Sequence, residues 1–138
     1  MKYPKFLKYN DTIGITALSS GCSDSVFDMN LAINNLKKEK FNIVNTDNVY
    51  GNYVVSSDKN TRISELNDLL RKDIQLLQIA RGGEFLYELL DSIPYEEIVE
   101  KNILVQGYSD PTSLLYVLTT KYDFATIYGL NGKIERFS

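Results

Sequence analysis

Apolar positions along the chain fall into two alternating kinds of run. Short, nearly continuous apolar stretches read as strands buried on both faces. Stretches with apolar residues every three or four positions read as helices packed along one side. Strands are expected at 12–18, 41–46, 74–80, 103–105 and 124–129. The first helix is expected after a Ser23-Asp24 cap, with Phe27, Met29, Leu31, Ile33 and Leu36 as its apolar stripe and Lys37, Lys38 and Lys40 near its end. The second starts at Ser57-Asp58. It buries Ile63, Leu66, Leu69 and Leu70 and leaves Arg62, Glu65 and Asp68 on its wet side. A third pattern begins directly after Gly83 (Phe85, Leu86, Leu89, Leu90) and is broken at Ser92-Ile93-Pro94. A short helical turn follows at 94–101. Leu114, Leu115, Val117 and Leu118 mark a last helix opened by Pro111 and ending near Lys121, since proline suits a first helical position. Residues 1–9 and 130–138 carry no clear element.

Strands alternating with helices predict an α/β fold: an open, mostly parallel five-stranded sheet with helices on both faces, one domain over residues 1–138. The length and the 43% hydrophobic content suit one domain with a real core, and 24% charged residues is not the balance of a disordered chain. The net charge is −3 and the cations are scattered, which argues against a nucleic-acid partner. No apolar run is long enough to span a membrane, and residues 1–10 lack the apolar core of a signal peptide. The single cysteine, Cys22, excludes an internal disulfide and fits a reducing cytoplasm. No histidine is present, so a Ser-His-Asp or Cys-His site and a histidine-based zinc site are excluded within these residues. No metal or cofactor is expected.

Three loops fall at the C-terminal ends of predicted strands, where open α/β sheets bind ligands. Ser19-Ser20-Gly21 follows the first strand, as a ligand loop or an ordinary turn. Arg81-Gly82-Gly83 follows the third. Its two glycines allow close backbone approach and can offer N–H donors to an anion; a tight turn with Arg81 in solvent is the other reading. Gly107-Tyr108-Ser109-Asp110 follows the fourth. Strand, sharp corner and helix is the form of a nucleophile elbow, which lifts Ser109 above the sheet edge and aims backbone amides at the same spot. Spacing alone also admits Ser109 or Asp110 as a helix cap, because the second glycine of the usual G-x-S-x-G pattern is missing. Tyr50 and Tyr53, in the polar loop 47–56, line a cleft or cover the core edge.

These residues resemble the LD-carboxypeptidase family, which includes the microcin C self-immunity proteins. The likeness lies in Thr12-Ile13-Gly14-Ile15 with Ser19-Ser20-Gly21, in Ser57-Asp58 through Arg62 and Leu66, and above all in Arg81-Gly82-Gly83 and the run from Gly107 to Leu114. It extends from about Lys5 to Gly129. The resemblance implies a flavodoxin- or Rossmann-like fold of the class I glutamine amidotransferase kind. It implies a serine peptidase with a Ser-His-Glu triad that cleaves amides of muropeptides or peptidyl-nucleotides. Carried over by motif, Ser109 is the nucleophile. The backbone N–H of Asp110, with Gly82 or Gly83, forms the oxyanion hole; Arg81, Ser19 and Ser20 contact the substrate. The departures are Leu18 for a usual proline, Pro111 for an aliphatic residue, Tyr128 for a non-catalytic histidine, and the absence of the triad base. The likeness is therefore to the N-terminal nucleophile domain only, with the C-terminal domain absent.

Three readings follow. The chain is the nucleophile half of such a hydrolase, nearly inactive alone and completed by a C-terminal domain. Or it is a non-catalytic module that binds peptides or forms a homo-oligomer. Or it is a lone Ser-Lys or Ser-Asp hydrolase using Lys101 or Asp110. In each the partner is a peptide or muropeptide-like small molecule or another protein chain, not nucleic acid or membrane.

Overall fold

The computed structural model describes residues 1–129. In chain order its regular elements are β1 (Thr12–Thr16), α1 (Val26–Lys38), β2 (Asn42–Asn45), α2 (Lys59–Leu70), β3 (Leu76–Ile79), α3 (Tyr95–Glu100), β4 (Leu104–Gly107), α4 (Thr112–Lys121) and β5 (Ile127–Tyr128). Short 3-10 turns occupy Asp47–Tyr50 and Leu86–Leu89. The strands form one sheet in the order β2-β1-β3-β4-β5, and every neighbouring pair is parallel. The open parallel sheet is the one expected from the sequence, and its strand order is doubly wound. Its direction reverses between β1 and β3, so the loops after these two strands flank the crevice where such sheets bind ligands.

The strands are apolar on both sides because both sides are covered. Ile13, Ile15, Leu76 and Leu104 pack with Met29, Ile33 and Leu36 of α1. Leu77, Ile79 and Val105 face the other way, into a cluster with Leu66, Leu69 and Leu70 of α2, Ile98 of α3 and Leu114 and Leu118 of α4. Asp58 caps α2 by accepting from the Thr61 N–H at 2.7 Å. Among the described residues no helix is long and apolar enough to cross a membrane.

Several expectations need correction. Helix α1 starts at Val26, and Ser25 flanks it without a side-chain cap; the Asp24 carboxylate is drawn away by Arg81. Phe27 is 78% exposed and Leu31 is also exposed, whereas Ala32 is buried. The stripe of α1 therefore runs Met29, Ala32, Ile33, Leu36, the i, i+3, i+4, i+7 face. On α2, Arg62 is only 1% exposed and lies on the buried face, and Ile63 is partly buried. The pattern after Gly83 forms only the four-residue 3-10 turn. Its opening amides are held by distant side chains, Phe85 N–H by Ser19 Oγ and Leu86 N–H by Asp110 Oδ2. Strand β5 pairs over two residues because β4 turns away after Gly107, and Phe124 bridges to Lys2 instead. Residues 130–138 lie outside the described part.

Candidate active site

Ser109 sits where β4 ends and α4 begins, and its φ is +66°. Four other non-glycine residues among those described have positive φ. Lys40, Asn102 and Asp123 each directly follow the C-cap residue of a helix, the ordinary place for a left-handed residue, and Asn10 lies in the turn before β1. Ser109 alone holds this conformation between a strand and a helix. The cost for a non-glycine residue is of order 1–3 kcal/mol, and surrounding structure must impose it. Two helix-entry bonds do so. Thr112 N–H donates to Ser109 O at 2.8 Å, and Ser113 N–H donates to Asp110 O at 3.2 Å. Pro111 is buried, has φ −56° and immediately precedes α4.

This geometry removes the cap reading of the corner. Neither Ser109 nor Asp110 caps α4 with its side chain. The Ser109 side chain is exposed and makes no hydrogen bond among the described residues. The Asp110 carboxylate reaches back to Leu86.

The loop after β3 passes directly beside Ser109. A Cβ added to Gly82 would lie 3.3 Å from Ser109 Cβ and 3.4 Å from its Oγ. Gly83 has φ +147°, and a Cβ there would fall 2.4 Å from Ser19 Oγ and 2.5 Å from Ser20 Oγ. Only glycine fits this crossing. Among the described residues the amides of Gly82, Gly83 and Asp110 donate no hydrogen bond, although the carbonyl of Gly82 accepts from Ser20 N–H at 3.1 Å. Backbone amides are ordinarily paired, so free donors clustered beside an exposed hydroxyl are the unusual feature of this edge.

The remaining expected site residues lie around this corner. Ser19 and Ser20 are buried. The Ser19 hydroxyl accepts from Phe85 N–H at 2.9 Å, and the Ser20 hydroxyl donates to Val54 O at 3.2 Å. Arg81 is half-buried rather than free in solvent: Nη1 donates to Gly21 O at 3.3 Å and to the Asp24 carboxylate. That hydrogen bond is the main reason the Asp24 carboxyl is held below its usual range. Tyr50 is partly buried and hydrogen-bonds Asn30, while Tyr53 is exposed. Tyr108 and Tyr128 form a tilted ring pair, with centroids 5.3 Å apart, at the Ser109 end of β4. Lys101 is at the opposite end of that strand, where it donates to Leu70 O and pairs with Glu97, so it cannot serve Ser109 as a base.

The sequence reading missed Arg62. Its Nη1 donates to Leu18 O at 3.0 Å and to Phe85 O at 3.1 Å, and Nη2 donates to Glu88 Oε1 at 3.3 Å. A signal was present: Arg62 precedes Leu66, Leu69 and Leu70 by 4, 7 and 8 positions, which puts it on the buried stripe of α2. Among the described residues no cluster of three or more acidic, cysteine or histidine side chains is arranged to hold a metal ion.

Known proteins share this fold. The family model for the LD-carboxypeptidase N-terminal domain matches residues 13–129. The microcin C7 self-immunity protein MccF, solved in complex with aspartyl sulfamoyl adenosine, superposes with a TM-score of 0.84 at 25% identity, over 96% of this chain and 40% of its own. An MccF-like protein from Bacillus anthracis str. Ames gives a TM-score of 0.86 at 25% identity, over 96% of this chain and 41% of its own. A muramoyltetrapeptide carboxypeptidase from Oxalobacter formigenes shares the fold, with a TM-score of 0.68 at 20% identity over 78% of this chain. No curated protein sequence gives a significant match. The chain spans about two fifths of the length of the solved proteins it matches. By its family match and by the strand, elbow and glycine loop just described, the chain belongs to the LD-carboxypeptidase family, in the part that forms the N-terminal domain.

Proposed function

We propose that this domain supplies the nucleophile and the oxyanion hole of a serine amidase acting on peptide-like substrates. The carrying observation is the exposed Ser109, at φ +66° on the strand-to-helix corner, beside the unpaired amides of Gly82, Gly83 and Asp110. Ser109 Oγ attacks the amide carbonyl carbon. The hydroxyl proton passes to a base, and the negative charge developing on the carbonyl oxygen is met by the Asp110 amide and one glycine amide. Such a donor is worth roughly 10²–10³ in rate. Arg81 uses one nitrogen on Asp24 and Gly21, leaving donors at the loop for a substrate carboxylate. Ser19 and Ser20 serve from behind, by fixing the backbone of the glycine loop.

No histidine occurs in the 138 residues, so a triad histidine would be supplied by a polypeptide segment outside them. Loss of the triad histidine costs a serine protease about 10⁶ in kcat, and amide turnover by this domain alone is expected to be barely measurable. Substrates with the chemistry of muropeptides or peptidyl-nucleotides fit the likeness to MccF, which binds aspartyl sulfamoyl adenosine. The exposed Tyr108 and Tyr128 favour one second reading, a module that binds peptides without cleaving them.

Labelling with a fluorophosphonate probe tests the proposal, because phosphonylation reports the nucleophile and the oxyanion hole without requiring turnover. The expected result is slow labelling of the wild-type chain that disappears in Ser109→Ala. Equal labelling of both proteins would sink it, and peptide binding with no labelling would favour the non-catalytic module.

A further inference from the structure

One peptide group at this sheet edge is held from both sides by opposite charges. The carbonyl of Phe85 accepts from Arg62 Nη1 at 3.1 Å, and the N–H of Leu86, the other end of the same peptide, donates to Asp110 Oδ2 at 3.1 Å. The negative end of the peptide dipole meets the guanidinium and the positive end meets the carboxylate, so both bonds are charge-assisted. Arg62 Nη1 also holds Leu18 O, at the end of the β1 segment, and Ser19 next to it accepts from the Phe85 N–H at 2.9 Å. Three segments therefore converge on Phe85-Leu86: the end of the β1 run, the loop that carries Gly82 and Gly83, and the elbow that carries Ser109.

A guanidinium this deep is costly to bury, and its one ion-pair partner, Glu88, is a third exposed at 3.3 Å. An aliphatic residue on the same stripe would pack α2 without that cost. The Asp110 side chain, likewise, leaves the helix it precedes and bonds 24 residues back along the chain. Both choices make sense if their purpose is the peptide between them.

We propose that Arg62 and the Asp110 carboxylate are positioning residues: through the Phe85–Leu86 peptide they set the distance between Ser109 and the amides of Gly82 and Gly83. This rests on the reading of Ser109 as the nucleophile. Neither side chain touches substrate in this role. The Asp110 backbone amide acts on the oxyanion, while its carboxylate acts only through Leu86.

The test uses the full chain with Arg62→Met, Asp110→Ala and the double variant, and with Arg62→Lys and Asp110→Asn as conservative versions that keep the fold. Two quantities are read: the fluorophosphonate labelling rate against probe concentration, and the amide hydrogen exchange of Leu86 by NMR. Each removal is expected to lower the maximal labelling rate about tenfold at an unchanged half-saturating concentration. The double variant should be no slower than the slower single, because both act on one peptide. Asp110→Asn, whose oxygen still accepts from Leu86, should recover most of the rate, and Arg62→Lys part of it. Leu86 exchange should quicken in both removal variants while β2 and α1 keep their protection. Labelling within twofold of wild type in both removals, or additive losses, would overturn the proposal. If the wild-type chain does not label at all, the nucleophile reading fails separately. Leu86 exchange then decides: quickening upholds the grip on the peptide, and unchanged exchange refutes it.

Discussion

The two edges of the sheet are built differently. At the N-terminal edge lies an open cavity of about 550 Å³, lined by residues including Lys5, Lys8, Asp11, Arg71, Lys72 and Lys101. Its backbone is ordinary. Thr12 and Gln75 pair across neighbouring strands, Lys101 ties down the end of α2, and the left-handed residues Lys40 and Asn102 simply end helices. At the C-terminal edge, Ser109 takes a left-handed conformation that no helix end requires, Gly83 crosses two serine hydroxyls, and three loops are tied together through one peptide. Volume and a surplus of lysines therefore mark a surface hollow. Convergent amides, imposed backbone geometry and a buried cation mark the edge of the proposed site.

Substitutions at the two edges should separate this contrast cleanly. The largest effect is expected from Gly83→Ala. Its Cβ would meet Ser19 Oγ and Ser20 Oγ, and the backbone conformation favours glycine, so unfolding stability should fall by about 1–3 kcal/mol and Ser109 labelling with it. Chemical denaturation and probe labelling check both. At Ser109 the same physics should separate function from stability. Ser109→Ala and Ser109→Gly both abolish labelling, but the glycine variant should be the more stable, by about 1 kcal/mol, because it removes the left-handed penalty. Equal stabilities would mean the corner is not strained. At the opposite edge Asn102→Gly, also at positive φ, should change stability by only a few tenths of a kcal/mol, since asparagine tolerates that position. It should leave labelling unchanged. The smallest effect concerns Arg81 and Asp24. The hydrogen bond from Arg81 lowers the Asp24 pKa, so the pair stabilises the fold at neutral pH, and that contribution is lost as pH falls through the lowered value. A carbon NMR titration of Asp24 should show a midpoint below the ordinary aspartate range that moves back up in Arg81→Met.

The strands, their alternation with helices and the three loops are legible in the sequence because buried parallel strands leave unbroken apolar runs and turns leave glycines; the order β2-β1-β3-β4-β5 is not, because it is set by pairing between distant segments. Two departures, at Arg62 and along α1, share one cause: the polarity of single residues and the helical period point to different faces. Arg62 was assigned to water for its charge, although its spacing from Leu66, Leu69 and Leu70 put it inside. Phe27 and Leu31 were assigned to the core for being apolar, although Met29, Ala32, Ile33 and Leu36 already complete the buried stripe of α1. The helix expected after Gly83 is a four-residue 3-10 turn, and its first amides are held by Ser19 and Asp110, 66 and 24 positions away. Contacts at that range leave no local pattern. The elbow is half legible: its strand, glycine and helix can be read, but setting aside the cap reading needs the dihedral at Ser109 and the direction of the Asp110 side chain.

The central claim is that Ser109 stands beside a formed oxyanion hole. Its most direct test is a nitrogen–proton NMR comparison of the chain before and after phosphonylation. The account predicts that the adduct maps to Ser109 and that the amide protons of Asp110 and of Gly82 or Gly83 move strongly downfield as they bond to the phosphonyl oxygen, while the amides around Asn102 stay still. An adduct on Ser109 that leaves all three of those amides unmoved would contradict it.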